Sequence, residues 1–328
     1  MKMTSRMLSR LAGVAALSLG FGLAGAAAAQ EKVVFLLPAP PVLQAFAPHN
    51  IAMAKGYYKA EGLDVEFKVG QGGADVATQV GAGNADVGGG IGDTPVIVRA
   101  NGVPIKAVAV LGGGALTQIY IRDDAGVPSP AELKGKTISV MSYQDTTYYA
   151  LLGTLAHFGM KKNDVNAQAV GPGGIVQLVV GGQAQALAGP PEWGLAVEAA
   201  GVKVKGYETR NYYPGMAQAI LASDETIKKK PKVVGGVARA VTKAMTDIMA
   251  DPEAAADVYI KALPQYADKK AEVVKVMIDY KNKIYAGQKQ LGAMDPDRLA
   301  KLQDFYLKEG IIRRATPVAE LYTNEFLN

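Results

Sequence analysis

The sequence predicts an α/β protein made of two similar lobes. Apolar runs of strand length alternate with helical patterns, which is the order expected of sheets covered by helices. A glycine-rich unit at residues 50–93 recurs at residues 164–190. The aligned glycines are Gly70, Gly72 and Gly73 in the first copy and Gly171, Gly173 and Gly174 in the second. Two similar lobes that face one another form a cleft, and small ligands bind in such clefts.

The first elements show the alternation clearly. Residues 32–38 form a continuous apolar run that ends in proline, which is typical of a buried parallel strand. A helix is predicted up to about Ala60, and Gly62 suits the left-handed position that follows a helix. Residues 63–69 alternate between apolar and polar side chains and therefore predict a second strand.

The alternation continues to residue 223 and then gives way to helices. Further strands are predicted at 85–90, 105–111, 115–122, 136–142, 202–207 and 216–223, and helices at 74–80, 94–101 and 148–158. Residues 225–309 have a helical pattern in which Asp251-Pro252 and Asp295-Pro296 are typical helix starts. We expect these helices to pack on the first lobe, with two strands near 117–122 and 216–222 crossing between the lobes.

These crossings predict the domain organisation. Lobe 1 is expected to comprise residues 30–117 and 219–328, and lobe 2 residues 118–218. Residues 1–29 have the pattern of a secretory signal peptide, with a basic start, a short apolar stretch and Ala27-Ala28-Ala29 before Gln30. A transmembrane anchor, the rival interpretation, would need a longer apolar stretch. We therefore expect export to the periplasm, with cleavage near Ala29/Gln30.

Composition argues against several functional classes. The formal charge of +5 falls to +2 once the three basic residues of the predicted signal peptide are removed, and no basic stripe for nucleic acid remains. The chain has no cysteine, and its two histidines lack the spacing of a zinc site, so neither metal nor cofactor is expected. The sequence also lacks the motifs of hydrolases, phosphate-binding loops and dinucleotide-binding folds.

Four short motifs occur in order along the chain. They are A-x-x-x-G-Y-Y-x-x-x-G-L-x-V at 52–65, G-x-A-D-V at 83–87, G-V-P-I-K-A-V-A-V at 102–110 and L-K-G-K-T-I-S-V at 133–140. With these motifs the chain resembles the solute-binding proteins of ABC importers, in the sulfonate, nitrate, taurine and thiamine-precursor (SsuA/THI5-like) group. One departure is Gln185, where the family often has aspartate; we expect it to affect a turn and not the ligand.

The resemblance implies a fold, a function and partners. The fold is the type II periplasmic binding protein fold, with two α/β lobes, a two-strand hinge and capture of a solute by closure. The implied partners are a small organic solute and the membrane permease of an ABC importer with its ATPase. We expect a monomer that is not an enzyme. The family also contains pyrimidine-synthesising enzymes, which remain the alternative, although they supply a cysteine-rich motif that this chain lacks.

Ligands of open α/β sheets bind beyond the carboxyl ends of the strands, so the loops there supply the candidate site. The loop at 142–147 carries hydroxyl and amide groups at a helix start; plain N-capping by Asp145 or Thr146 is the alternative. Trp193 is predicted either to stack on a ligand or to pack in the core. The candidate ligand-binding residues are Gln44, His49, Gln71, Gly72, Asp93, Thr94, Thr117, Ser142, Tyr143, Gln144, Thr146, Thr147, Gly173, Gly174, Glu192, Trp193 and Tyr213.

The charges in these loops indicate the kind of ligand. They contain Asp93, Asp145 and Glu192 but no lysine or arginine. A desolvated small anion such as nitrate normally needs a guanidinium or ammonium partner. We therefore expect a small organic solute, sulfonate- or taurine-like or heterocyclic, with a neutral, zwitterionic or heterocyclic ligand favoured over nitrate.

Overall fold

The protein is described by a computed structural model over residues 29–327, so the predicted signal peptide lies outside the described residues except for Ala29. Lobe 1 is built on a five-stranded sheet. Its strands are β1 (Glu31–Leu37), β2 (Leu63–Val69), β3 (Val87–Ile91), β4 (Ile105–Val110) and β10 (Gln218–Ser223), in the order β2-β1-β3-β10-β4. The apolar strand β1 pairs in parallel with β2 and β3, while β10 runs antiparallel between β3 and β4.

Lobe 2 has the same arrangement. Its strands are β5 (Gln118–Arg122), β6 (Thr137–Val140), β7 (Asn166–Ala169), β8 (Ala186–Gly189) and β9 (Val204–Glu208), in the order β7-β6-β8-β5-β9. Here β6 pairs in parallel with β7 and β8, and β5 is the antiparallel strand between β8 and β9. The common topology of the two sheets accounts for the internal repeat in the sequence.

An equivalent turn in each repeat ties down the central parallel strand. In lobe 1 the Asp86 carboxylate accepts a hydrogen bond from the Val34 N–H of β1, at 2.8 Å. In lobe 2 the Gln185 amide oxygen accepts one from the Thr137 N–H of β6, at 2.9 Å. The amide thus replaces the carboxylate as acceptor, and the departure from the family pattern affects a turn, as predicted.

The helices of the two α/β units follow their strands. In lobe 1 they are α1 (Ala47–Ala54), α2 (Tyr57–Ala60), α3 (Gly73–Gly81) and α4 (Thr94–Arg99); in lobe 2 they are α5 (Thr146–His157), α6 (Gly171–Val180) and α7 (Pro191–Ala199). The helix predicted to reach Ala60 is broken in two at Gly56, which adopts a left-handed φ of 71°. Gly62 is left-handed as predicted, with φ 76°.

The C-terminal third is helical, as predicted. It contains α8 (Asp224–Lys229), α9 (Pro231–Ala250), α10 (Pro252–Ala262), α11 (Lys270–Asp279), which continues as a π-helical turn to Tyr285, α12 (Pro296–Lys308) and α13 (Val318–Leu321). Asp251 and Asp295 cap α10 and α12 through side-chain hydrogen bonds. Helix α9 packs against α1 and α2, and α10 against α1, so these helices cover lobe 1.

Residues 111–117 and 209–217 connect the two lobes. Arg298 of α12 holds both connections, because its guanidinium donates to the carbonyls of Gly113 and Gly114 in one and of Pro214 and Gly215 in the other. The residues at which one lobe gives way to the other, 117/118 and 218/219, stay predictions. Within residues 29–327 no helix is both long enough and apolar enough to cross a bilayer.

Candidate functional site

Loops from the two lobes meet around a small, partly open cavity of about 40 Å³. It is lined by Pro38, Ala39, Leu43, Ala45, Phe46, Gly90, Ile91, Leu116, Met141, Asp145, Thr146, Thr147, Pro190, Glu192, Trp193 and Gln218. A water molecule takes about 30 Å³ of liquid, whereas a cavity of about 150 Å³ accommodates benzene. In the described conformation this cavity is therefore too small to hold a molecule of the size of benzene.

On one side of the cavity, glycines of lobe 1 lie directly against lobe 2. A Cβ atom added to Gly72 would lie 2.7 Å from the Asp145 Cα, and one added to Gly73 would lie 2.7 Å from the Thr146 Cγ2. Ordinary contacts of a Cβ atom begin at about 3.4 Å. The lobes approach this closely only because these two positions of the first glycine loop have no side chain.

Two interlobe hydrogen bonds accompany this contact. The Ala74 N–H donates to the Gln144 carbonyl at 3.0 Å, and the Ser142 hydroxyl donates to the Gln71 carbonyl at 3.0 Å. The structure therefore brings the predicted residues Gln71, Gly72, Ser142 and Gln144 together, at the mouth of the cleft. Gln71 and Gln144 are exposed and contribute backbone atoms to the contact between the lobes.

Asp145 is the N-cap of α5 and is buried. Its Oδ1 accepts hydrogen bonds from the Thr147 N–H at 2.9 Å and from the Thr147 hydroxyl. Burial raises the pKa of Asp145, while these donors act to lower it. Asp145 therefore caps the helix, as the alternative interpretation of this loop predicted. The next two residues, Thr146 and Thr147, also line the cavity.

Glu192 links the lobes on the opposite side of the cavity. It lies at the start of α7 in lobe 2, yet both of its side-chain donors belong to lobe 1. The Ala45 N–H donates to its Oε1 at 3.1 Å, and the Tyr280 hydroxyl donates to its Oε2 at 2.9 Å. Burial raises the pKa of Glu192 to about 7, more than these two hydrogen bonds lower it.

The titratable groups around Glu192 are mostly phenols. Burial raises the pKa values of five tyrosines, and the charge of the nearby Glu192 raises them further. They are Tyr120 of β5, Tyr259 of α10, Tyr266 of the turn after α10, and Tyr280 and Tyr285 of the π-helical turn. Trp193 follows Glu192, lines the cavity and is 7% exposed. It packs over Gly189, where an added Cβ atom would meet the indole ring at 1.9 Å.

Asp93 lies near the connections and not in the cavity wall. Its carboxylate accepts from the Met216 N–H at 2.9 Å and from the Tyr306 hydroxyl at 2.7 Å, and burial raises its pKa to about 6. Thr94 beside it accepts from the Ile91 N–H at 3.0 Å. Tyr213, also predicted, stacks on Tyr306 with ring centroids 6.1 Å apart. These residues hold the connections to the C-terminal helices.

His49 lies within α1 and is 3% exposed. Its ring meets the edges or faces of Phe35, Phe46 and Phe67, with centroids 5.0, 5.9 and 6.4 Å away. Its Nδ1 is buried without a hydrogen-bond partner among the described residues, and burial lowers its pKa to about 3. The structure therefore places a neutral histidine in an aromatic core beside the cleft and outside the cavity wall.

The remaining predicted residues lie at or beyond the margins of the cavity. Gln44 is buried beside the wall residues Leu43 and Ala45, and Thr117 is buried in a connection between the lobes. Tyr143 is 53% exposed and donates its hydroxyl to the Ala167 carbonyl within lobe 2. Gly173 and Gly174 begin α6, where neither lines the cavity. Ligand contact by any of these residues stays a prediction.

Sequence reasoning missed Gln218, Tyr280 and the Ala45 N–H. Gln218 is the first residue of β10 and lines the cavity, while Tyr280 donates to the wall residue Glu192 from the π-helical turn. No local pattern identifies such residues, because they approach the cavity from distant parts of the chain. Within residues 29–327 the cavity wall has no lysine or arginine, and no three His, Cys, Asp or Glu side chains lie together as metal ligands would.

Residues 44–255, about two thirds of the chain, match the family model described as NMT1/THI5 like. The chain belongs to the NMT1/THI5-like family. The riboflavin-binding protein RibY of Chloroflexus aurantiacus is 25% identical over 307 residues, which cover 90% of this chain and 86% of RibY. The 4-amino-5-hydroxymethyl-2-methylpyrimidine phosphate synthase THI13 of Saccharomyces cerevisiae is also 25% identical, over 84% of this chain and 88% of the yeast protein.

Solved structures establish the fold of this NMT1/THI5-like protein. The alkanesulfonate-binding protein SsuA from Xanthomonas axonopodis pv. citri superposes with a TM-score of 0.70 at 17% identity, over 90% of this chain and 98% of SsuA. The two-lobed α/β architecture is thus the periplasmic binding protein fold, as predicted. Because the same family contains binding proteins and a pyrimidine phosphate synthase, membership alone does not decide between capture and catalysis.

Proposed function

We propose that this NMT1/THI5-like protein is a periplasmic, monomeric solute-binding protein that delivers a small organic solute to the permease of an ABC importer. The observation that carries the proposal is the interlobe cavity, whose wall comes from both lobes and includes Phe46, Trp193, Thr146 and Thr147. An aromatic surface with a few polar groups is typical of small-molecule sites. The similarity to RibY and the fold shared with SsuA, both named as binding proteins, support the proposal.

Catalysis is the less favoured function for this cavity. His49 is caged by aromatic rings outside the cavity wall, and the chain has no cysteine to act as a nucleophile or ligand. The two carboxylates of the wall, Asp145 and Glu192, are engaged in a helix cap and in contacts between the lobes. This arrangement supports closure on a ligand and offers no positioned acid–base pair beside a free nucleophile.

Binding is tested by thermal unfolding across a solute panel of riboflavin, pyrimidines, alkanesulfonates, taurine, nitrate and aromatic acids. A ligand at 100 times its Kd stabilises the folded state by about 2.7 kcal/mol and raises the melting temperature accordingly. Trp193 is the only tryptophan and lines the cavity, so its emission supplies a second readout at the site. Failure of every solute to shift either signal, together with turnover of one of them, would refute the proposed function.

Export is tested separately. Fractionation of cells that express the full chain should place the protein in the periplasm. Mass spectrometry of the purified protein should show an N-terminus near Gln30. A cytoplasmic protein that retains Met1 would contradict the proposed location without bearing on the solute.

A further inference from the structure

Two acceptor groups in the cavity wall have unused hydrogen-bonding capacity. Glu192 receives the Ala45 N–H and the Tyr280 hydroxyl, whereas a carboxylate accepts about four hydrogen bonds. Gln218 is 5% exposed, and its Oε1 is buried without a partner among the described residues. Since an unsatisfied buried acceptor is costly, both groups call for a donor brought by the solute.

The other carboxylate of the wall is committed to its own helix. The Asp145 Oδ1 receives both the N–H and the hydroxyl of Thr147. Its charge is compensated by the start of α5, where backbone N–H groups and the helix dipole favour a negative charge. The Glu192 side chain caps no helix and lies between the lobes, so it is the carboxyl group of the wall that is better placed to receive a donor from a solute.

The described wall has no cationic side chain to pair with a bound anion. Arg298, whose charge acts on Asp93, does not line the cavity, and carbonyls of the two connections engage its guanidinium. An anionic group in the closed cleft would lie near the carboxylate of Glu192 without a cation to pair with. Burying a charge in that way is strongly unfavourable.

Gln44 and the aromatic side chains refine the class of solute. The Gln44 Nε2 is buried without a partner among the described residues, in the turn that contributes Leu43 and Ala45 to the wall. It calls for an acceptor atom, complementary to the donor required by Gln218. Phe46 and Trp193 provide aromatic surface in the same wall, which suits a flat ring.

We propose that Glu192 is the specificity-determining residue of the cleft, selecting flat uncharged or cationic solutes with an N–H or O–H donor and excluding sulfonates and other anions. The inference rests on the proposed solute-binding function. It predicts a selectivity different from that named for SsuA, with which this chain shares a fold. A donor of the solute occupies a free acceptor position of Glu192, and closure around the solute completes the hydrogen bonding of Gln218.

The test uses three probes of nearly identical shape, benzoate, benzamide and benzamidine, together with the solute panel. Affinities are measured by thermal unfolding and Trp193 emission on the wild type, Glu192→Gln and Glu253→Gln. Glu253 is a matched control because it also follows a proline at the start of a helix, in α10, but is exposed to solvent. Melting temperatures without solute establish that each variant is folded.

We expect benzamide, benzamidine and the donor-bearing panel solutes to bind the wild type more tightly than benzoate. Glu192→Gln should lower the affinity for the donor-bearing compounds about 10- to 100-fold, because a hydrogen bond to a charged group is lost. The difference between their affinity and that of benzoate should therefore become smaller. Glu253→Gln should change neither the affinities nor this difference. A purely structural role of Glu192 would weaken all probes equally and would overturn the assignment.

The remaining outcomes separate this inference from the proposed function. If sulfonates or benzoate bind the wild type as tightly as the donor-bearing compounds, the charge selection is wrong and the solute-binding function stands. If neither the panel nor any of the three probes binds, both proposals fail. If Glu192→Gln binds the donor-bearing compounds as the wild type does, Glu192 is not the selecting residue.

Discussion

Replacing Gly73 with alanine should block closure without harming the fold. The added Cβ would lie 2.7 Å from the Thr146 Cγ2 and 3.1 Å from its Oγ1, so the nearest atom is 0.7 Å inside the 3.4 Å at which ordinary contacts begin. Thr146 is β-branched and lies at a helix start, which limits its ability to turn aside. Overpacking of this kind costs about 1–3 kcal/mol, and here only the closed state bears that cost.

A penalty confined to the closed state should weaken solute binding about 5- to 150-fold. The unliganded protein should remain as stable as the wild type or become slightly more stable, because alanine is a better helix former than glycine. Weaker binding with unchanged or raised thermal stability is therefore the expected signature, measured by solute titration and thermal unfolding of the same variant.

Gly173→Ala is the matched control for this experiment. Gly173 lies in the first turn of α6, its φ is not left-handed, and an added Cβ would meet no atom within 4 Å. This variant should bind solute like the wild type. The steric reasoning is refuted if Gly73→Ala binds normally, or if both alanine variants weaken binding to the same extent.

Three further predictions concern the connections, the aromatic core and pH. Arg298→Lys should lower the free energy of unfolding, measured by urea titration, by about 1–3 kcal/mol. One ammonium group cannot reach the four carbonyls that the guanidinium holds. Arg313→Lys is the control, and it should have little effect because Arg313 is exposed. The pKa of His49 is about 3 in the folded state against 6.5 when unfolded, so its stabilising contribution is complete above pH 6.5 and is lost as the pH falls. Between pH 7.5 and 4.5 the free energy of unfolding of the wild type should therefore fall by about 2–3 kcal/mol more than that of His49→Phe. Equal decreases in the two proteins would contradict this prediction. Burial raises the pKa of Glu192 from its usual 4.5 to about 7, so a conformation that buries Glu192 binds more protons than one that exposes it and is favoured as the pH falls from 7 towards 4.5. Trp193 emission should shift to longer wavelength between pH 5 and 8 in the unliganded wild type and remain constant in Glu192→Gln; a shift of equal size in both would show that another group controls closure.

The fold was largely predictable because its signals are local. The apolar run of β1, the helix starts at Asp251 and Asp295 and the left-handed Gly62 all depend on residues close in sequence. Strand β10 shows the limit of that reasoning. Its sequence predicts a strand that crosses between the lobes, whereas its insertion between β3 and β4 follows from pairings with distant residues.

The site was predictable only in part, for the same reason. Thr146, Thr147, Glu192 and Trp193 line the cavity because each follows a strand end, a rule that the sequence reveals. The rule also selects Gly173, although the second glycine loop does not face the other lobe as the first one does. Whether a residue that follows a strand lines the cavity depends on its burial and on its hydrogen-bond partners. The spacing of residues in the sequence reveals neither of these.

The placement of β10 has a consequence for the order of folding. Lobe 1 provides β3 and β4 early in the chain, but the strand between them is made only after all of lobe 2. Lobe 2 draws its five strands from one continuous stretch and needs no later residues for its sheet. During synthesis from the N-terminus, the lobe that begins first is therefore the last to be completed, because its closing pairings span the greatest separation in sequence. A chain with this order presents an incomplete N-terminal sheet for most of its synthesis, and under the proposed export it would reach the membrane before that sheet is complete.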